Sequence, residues 1–258
     1  MASRRPHLTR RHLLSGAAAV TAVVTELLAA QALAASRRQY AAADSAPEMD
    51  AYFGDPAEPA LHLVMLGDST AAGIGANAVE ESVGGHLANL VAAEHRYVHL
   101  SSVAVSGSRT GDLGPQVSRA LLTKPDVAVV LVGANDATHG TSPRRVRPAL
   151  VGAIRRLRSA GVPVVLGTCP DLGAARAVAR PLRDLLAAYG RLIAEVQATA
   201  AIREGAVVVD LAAATGPVFR AEPQATLSSD AFHPSSAGYD LWARALLPGV
   251  RRAVTIPV

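Results

Sequence analysis

The stretch DVAVVLVGAND, residues 126–136, decides the fold. After Asp126 it runs apolar without alternation through Val132, short and rich in β-branched valine, as in a strand that a parallel sheet buries on both faces. It then breaks at Gly133-Ala134-Asn135-Asp136. A buried strand that ends in a cluster of small and polar residues delivers side chains to the rim of a sheet.

Working outward, short apolar runs alternate with longer helical patterns on both sides. Further strands are expected at residues 61–66, 98–105, 163–168 and 206–209, the second being the weakest. Helices are expected at about 81–94, 112–122, 143–160, 176–203 and 235–250. This βα alternation predicts an α/β fold: one three-layer α/β/α domain over residues 59–258, with five parallel strands and right-handed crossovers. Residues 39–58, rich in Ala, Asp, Pro and Glu without a period, are expected to be a linker.

In open parallel sheets ligands bind outside the carboxyl ends of the strands. Gly67-Asp68-Ser69 follows the first expected strand, Ser106-Gly107 the second, Gly133 to Asp136 the third, and Asp230 to His233 the fifth. All four clusters therefore fall on one rim. A serine hydroxyl is a poor nucleophile unless a base lies within hydrogen-bond reach and a third group orients that base. The three-residue spacing from Asp230 to His233 lets one turn bring a carboxylate to Nδ1 and leave Nε2 free for Ser69. The backbone N–H groups of Ser69 and Gly107 and the amide of Asn135 are the right kinds of donor for an acyl oxyanion.

These blocks resemble the SGNH hydrolases, also called GDSL esterases and lipases. Gly67-Asp68-Ser69 is similar to the first block of that family and Val105-Ser106-Gly107 to the second. Gly133-Ala134-Asn135-Asp136 resembles the Gly-x-Asn-Asp block, and Asp230-Ala-Phe-His233-Pro234 the Asp-x-x-His block. The resemblance spans about residues 61–250. It implies a flavodoxin-like strand order 2-1-3-4-5, metal-independent and cofactor-free ester hydrolysis, Ser69 as nucleophile, and Gly107 with Asn135 in the oxyanion hole. Thr70 replaces the leucine of the family's name, and Ser101-Ser102 precede the second block where the family often has an asparagine. The α/β-hydrolase elbow Gly-x-Ser-x-Gly does not fit, because Ala71 stands two residues after Ser69.

Composition narrows the rest. Half of the 258 residues are hydrophobic but only 3% are aromatic, which suits Ala-, Val- and Leu-rich helices packed on a sheet. Four arginines (Arg4, Arg5, Arg10, Arg11) and Glu26 lie in the first 34 residues; without them 21 basic residues face 20 acidic ones, so no nucleic-acid footprint remains. Arg144, Arg145 and Arg147, on the expected loop after Asn135, read as solvated surface rather than an anion site. The single Cys169 excludes an intrachain disulfide and reads as a small buried residue at a strand end. His86, His95, His99 and His139 lack metal-ligand spacing. Asp68 and Asp136 read as hydrogen-bonding residues rather than catalysts.

Residues 1–38 read as an export signal or membrane anchor. Thr9-Arg10-Arg11-His12-Leu13-Leu14 resembles a twin-arginine signal, Ala32-Leu33-Ala34 offers small residues for a signal peptidase, and the 23-residue run 13–35 is long enough for an uncleaved anchor. Either way the domain is expected outside the cytoplasm. The function expected from the residues is a serine esterase acting on a small-molecule or lipid ester. Acyl transfer or deacetylation on a cell-envelope glycan, and a catalytically idle membrane-anchored binding domain, are the alternatives. Nucleotide binding is disfavoured, since no Gly-x-Gly-x-x-Gly follows the first strand.

Overall fold

The computed structural model of the protein describes residues 10–38, 40–41 and 46–254; Arg4, Arg5 and Thr9 of the export pattern lie outside the described residues. In chain order the elements are α1 (Arg10–Ser36), β1 (Asp50–Phe53), β2 (Ala60–Gly67), α2 (Val83–Ala92), β3 (Tyr97–Ser102), α3 (Leu113–Leu122), β4 (Val127–Leu131), α4 (Ala134–Thr138) and α5 (Pro143–Ser159). They continue with β5 (Val164–Gly167), α6 (Leu182–Arg203), β6 (Val207–Val209), α7 (Leu211–Ala221), α8 (Pro223–Thr226) and α9 (Ser236–Val254).

The sheet order is β1-β3-β2-β4-β5-β6. Its five parallel strands, β3-β2-β4-β5-β6, follow the expected order 2-1-3-4-5. The near-continuous apolar run of β4 is explained by its neighbours on both sides. Val127, Val129 and Leu131 point with Leu63 and Met65 into a core closed by α2 and α9. Ala128 and Val130 point with Val64 and Leu66 into a second core closed by α3 and α5. Strand alternation sends successive side chains to opposite faces, and here both faces are apolar.

The expectation of five parallel strands is corrected by a sixth, β1, which pairs antiparallel with β3 and lies inside the stretch 39–58 expected to be a linker. Its four residues alternate, with Ala51 and Phe53 more buried than Asp50 and Tyr52, but the run is too short to register as a strand in the sequence. They are held by tertiary contacts: Phe53 is buried, Tyr52 stacks on Tyr97 and His99, and Asp50 Oδ1 meets His99 Nε2 at 2.7 Å.

Three helical expectations also change. The helix expected from 176 begins at Leu182, because Pro181 lacks a donor and disfavours the helical region for Arg180. Helix α7 was not expected; Gly216 and Pro217 inside it obscure its period. Arg144, Arg145 and Arg147 lie in the first turns of α5 rather than on a loop, at a helix start capped by the Ser142 side chain and Pro143, and all three are exposed. The run 13–35 does form a helix, α1, but among the described residues no helix is long and apolar enough to cross a membrane. Thr21, Thr25, Glu26 and Gln31 dilute the run, so the expected anchor finds no support.

Candidate active site

The first rim cluster is shaped by backbone sterics. Gly67 ends β2 at φ +136°, and a Cβ there would stand 1.7 Å from the Leu131 carbonyl oxygen. Only glycine fits that approach. The chain then turns: Asp68 N–H donates to Leu131 O at 3.0 Å, and Asp68 Oδ1 accepts from the Thr70 N–H at 3.0 Å and the Thr70 hydroxyl at 2.8 Å. Threonine in place of the family's leucine thus supplies a second donor that braces the turn. Ser69 sits at its tip, 8% exposed.

The structure brings three of the sequence-predicted residues into one hydrogen-bonded chain. Ser69 Oγ lies 3.0 Å from His233 Nε2, and His233 Nδ1 lies 2.6 Å from Asp230 Oδ2. With Asp230 ionised, Nδ1 carries the proton and Nε2 is free to accept the serine hydroxyl. The loop that carries Asp230 and His233 is closed by a bridge between Leu227 and Pro234 and by the Ser228 N–H donating to His233 O at 2.8 Å. Ala231 adopts φ +57° at its tip, an uncommon conformation for a residue with a Cβ.

Asp230 is richly satisfied. Oδ1 accepts from Ser228 Oγ at 2.9 Å, Phe232 N–H at 2.8 Å and His233 N–H at 2.9 Å, while Oδ2 accepts from Ala41 N–H at 3.1 Å besides the imidazole. Burial would raise its pKa, but the hydrogen bonds from His233, Ala41 and Phe232 outweigh that and hold the carboxyl well below the usual carboxylate range. Asp68 behaves in the opposite way: complete burial pushes its carboxyl up to about 6 against the hydrogen bonds from Thr70.

The candidate oxyanion donors line the same cleft. Gly107 holds φ +81° with open space where a Cβ would be, so conformation rather than crowding requires glycine there. Asn135, on α4, donates one amide hydrogen to Ser108 O at 3.0 Å. Its second amide hydrogen remains available to a ligand. Asp136 is structural, accepting from the Thr110 N–H and hydroxyl, both at 2.8 Å. Cys169 is fully buried, and desolvation raises its thiol pKa far above the ordinary value. His139 Nδ1 donates to Asn135 O at 2.9 Å near the cleft, and His86, His95 and His99 each meet an acidic partner. Among the described residues no group of three or more His, Cys, Asp or Glu is poised to hold a metal ion.

Two spaces meet at Ser69. One is a small, mainly apolar pocket of about 40 Å³ bordered by Leu172, Phe219, Leu227, Phe232 and Trp242. The other is an open cleft of about 420 Å³ that reaches Gly107, Asn135, Tyr40 and the end of α1.

Sequence reasoning missed the groups that hold the rim loops together. The Gln116 amide binds both backbone groups of Gly67 and the Ser108 hydroxyl, joining the first and second clusters. The Gln197 amide accepts from Cys169 N–H and donates to Val132 O, both at 2.8 Å, joining the ends of β4 and β5. Each glutamine occupies the apolar stripe of its helix and is almost fully buried. A polar residue in an apolar stripe was the available signal.

The sequence pattern of the GDSL-like Lipase/Acylhydrolase family matches residues 65–241. A protein named GDSL-like esterase Rv1075c, from Mycobacterium tuberculosis, is 38% identical over 200 residues, which cover 76% of this chain and 63% of that protein. The chain thus spans less than two thirds of its relative's length. Among solved structures, the lipase/acylhydrolase from Enterococcus faecalis superposes with a TM-score of 0.60 at 23% identity, covering 77% of this chain and 99% of that one. Axe2, an acetylxylan esterase from Geobacillus stearothermophilus, gives 0.56 at 22% identity over 76% and 95%. At these identities the likeness to solved structures establishes the fold.

Proposed function

The chain belongs to the GDSL-like lipase/acylhydrolase family, and from that premise we propose that it is a carboxylic ester hydrolase using Ser69, His233 and Asp230. The observation that carries the reading is the continuous chain from Ser69 Oγ through both imidazole nitrogens to Asp230 Oδ2. Ser69 Oγ attacks the acyl carbonyl while His233 Nε2 takes its proton. Asp230 holds the imidazole and balances its positive charge. The carbonyl oxygen, now an anion, is received by the Ser69 and Gly107 N–H groups and the free amide hydrogen of Asn135. Loss of one such donor typically costs about 2.7–4 kcal/mol of transition-state stabilisation. His233 returns the proton to the leaving alcohol, and water then resolves the acyl-enzyme by the same route.

The small apolar pocket beside Ser69 supports a short acyl group. One water needs roughly 10–15 Å³ of such space, so about 40 Å³ accommodates an acetyl or propionyl chain. The open cleft is left for the alcohol, which sets no comparable limit on size. An acceptor alcohol in place of water would make the same site an acyltransferase. We place the activity outside the cytoplasm on the strength of the basic and then apolar N-terminus.

The test is Ser69→Ala, assayed on p-nitrophenyl acetate and by labelling with a fluorophosphonate. We expect hydrolysis to fall by at least about 10³-fold and labelling to vanish; undiminished hydrolysis would falsify the assignment. A native chain that resists the probe would instead favour an idle binding domain.

A further inference from the structure

Four of the five donors to Asp230 come from residues 228–233, so they move with its own loop. The fifth, the Ala41 N–H, comes from an arm that follows α1 and precedes the region shared with the family. It donates to Oδ2, the oxygen that also receives His233 Nδ1–H.

The arm is fixed independently. Gln31, in the last turns of α1, donates to Arg180 O at 2.6 Å and accepts from Leu182 N–H at 3.0 Å. Arg38 Nη1 donates to Ala177 O at 3.3 Å, and Ala177 N–H in turn donates to Ala231 O at 2.9 Å. Tyr40 sets its ring edge-on to Phe232 with centroids 5.2 Å apart, and Phe232 is edge-on to His233 at 5.3 Å. Ala41 lies downstream of Ala32-Leu33-Ala34, so a chain processed there keeps the donor, Arg38 and Tyr40 but loses the Gln31 anchor.

We propose that this arm is a working part of the active site, with the Ala41 N–H as a positioning group that fixes the plane of the Asp230 carboxylate against His233. The inference rests on the esterase reading above. A carboxylate held only by its own loop can turn with that loop, whereas a donor from a separate anchor sets its orientation relative to the sheet. The same donor draws charge from Oδ2. Without it, more charge faces the imidazole and the imidazolium is held more strongly. The other ionisable groups bearing on this pair are Tyr40, with Arg38 beside it, Tyr239 and Asp68.

In the full-length chain, Ala41→Pro removes the donor, Ala41→Gly keeps it, and Tyr40→Ala loosens the arm without touching the donor. The expected result for Ala41→Pro on p-nitrophenyl acetate is about a tenfold fall in kcat with KM within twofold. The acidic limb of its kcat/KM profile should move up by about half a pH unit. Ala41→Gly should track the native chain, and Tyr40→Ala should shift the limb in the same direction by less. A native chain that hydrolyses esters and takes the fluorophosphonate, beside Ala41→Pro and Tyr40→Ala variants with unmoved kcat and acidic limb, overturns the proposal. If Ala41→Pro fails to fold, Tyr40→Ala decides by the same limb. A native chain with neither hydrolysis nor labelling overturns the esterase reading itself, and this inference with it.

Discussion

Gln116 acts as a strand partner for Gly67: its Oε1 accepts from the Gly67 N–H at 2.8 Å and its Nε2 donates to the Gly67 carbonyl at 2.9 Å. A side-chain amide thereby satisfies both backbone groups at the point where β2 gives way to the turn bearing Ser69. Replacing it strands the buried Gly67 N–H, while the Gly67 carbonyl keeps the Val105 N–H at 3.2 Å.

Gln116→Leu keeps the volume and the helix propensity but leaves the Gly67 N–H unpaired. We expect a loss of about 1–3 kcal/mol in urea unfolding, the cost of one unsatisfied buried group. Ester hydrolysis at a temperature where the variant stays folded should also fall, because the Ser69 turn loses its brace. Full stability with unchanged activity would show that the clamp is dispensable.

Asp68 makes stability depend on pH with a sign opposite to that of Asp230. Its folded pKa, about 6, exceeds the ordinary 3.8, so the folded state binds the proton more tightly. Stability is therefore lost as pH rises from about 4 through 6. Asp230, held below the ordinary range, contributes stability that is present above about pH 4 and lost as pH falls. Asp68→Asn imitates the protonated carboxyl and can still accept from Thr70. It should match the native chain near pH 4 and exceed it at pH 8 by up to about 3 kcal/mol in urea titrations. A native advantage at pH 8 would contradict this.

Leu172 borders the small cavity beside Ser69 and is 6% exposed. Leu172→Ala should lengthen the space open to the acyl chain, at a cost of about 2–5 kcal/mol in stability. On a p-nitrophenyl panel we expect the preference to move from acetyl toward butanoyl and hexanoyl esters. An unchanged chain-length profile would place the acyl group in the open cleft instead.

How much of this was legible in the sequence follows from where each signal lies along the chain. The run 127–131 announced a doubly covered strand because its packing partners on both faces are apolar, and Gly67, Gly107 and Gly133 mark turns that local backbone geometry demands. Asp230 and His233 were readable because their spacing is a property of one turn. By contrast β1 and the Ala41 donor depend on partners 45–51 and 189 residues away, and neither carries a local pattern long enough to read. Gln116 and Gln197 fall between these cases, visible as polar interruptions in a stripe but silent about what they bind. The anchor expectation weighed the length of the run 13–35 above its polar dilution.

The two halves of the candidate site hang from parts of the fold with unlike resistance to opening. Ser69 and Asn135 follow β2 and β4, the innermost strands, whose ladders can break only when the whole sheet comes apart. Asp230 and His233 ride on a peripheral loop closed by the Leu227–Pro234 bridge and tied to the rest by a handful of bonds. Local unfolding selects such weakly held segments long before the global transition. On warming, amide protons of residues 228–234 should therefore exchange ahead of those in β2 and β4, and catalytic competence should fade while the sheet is still intact.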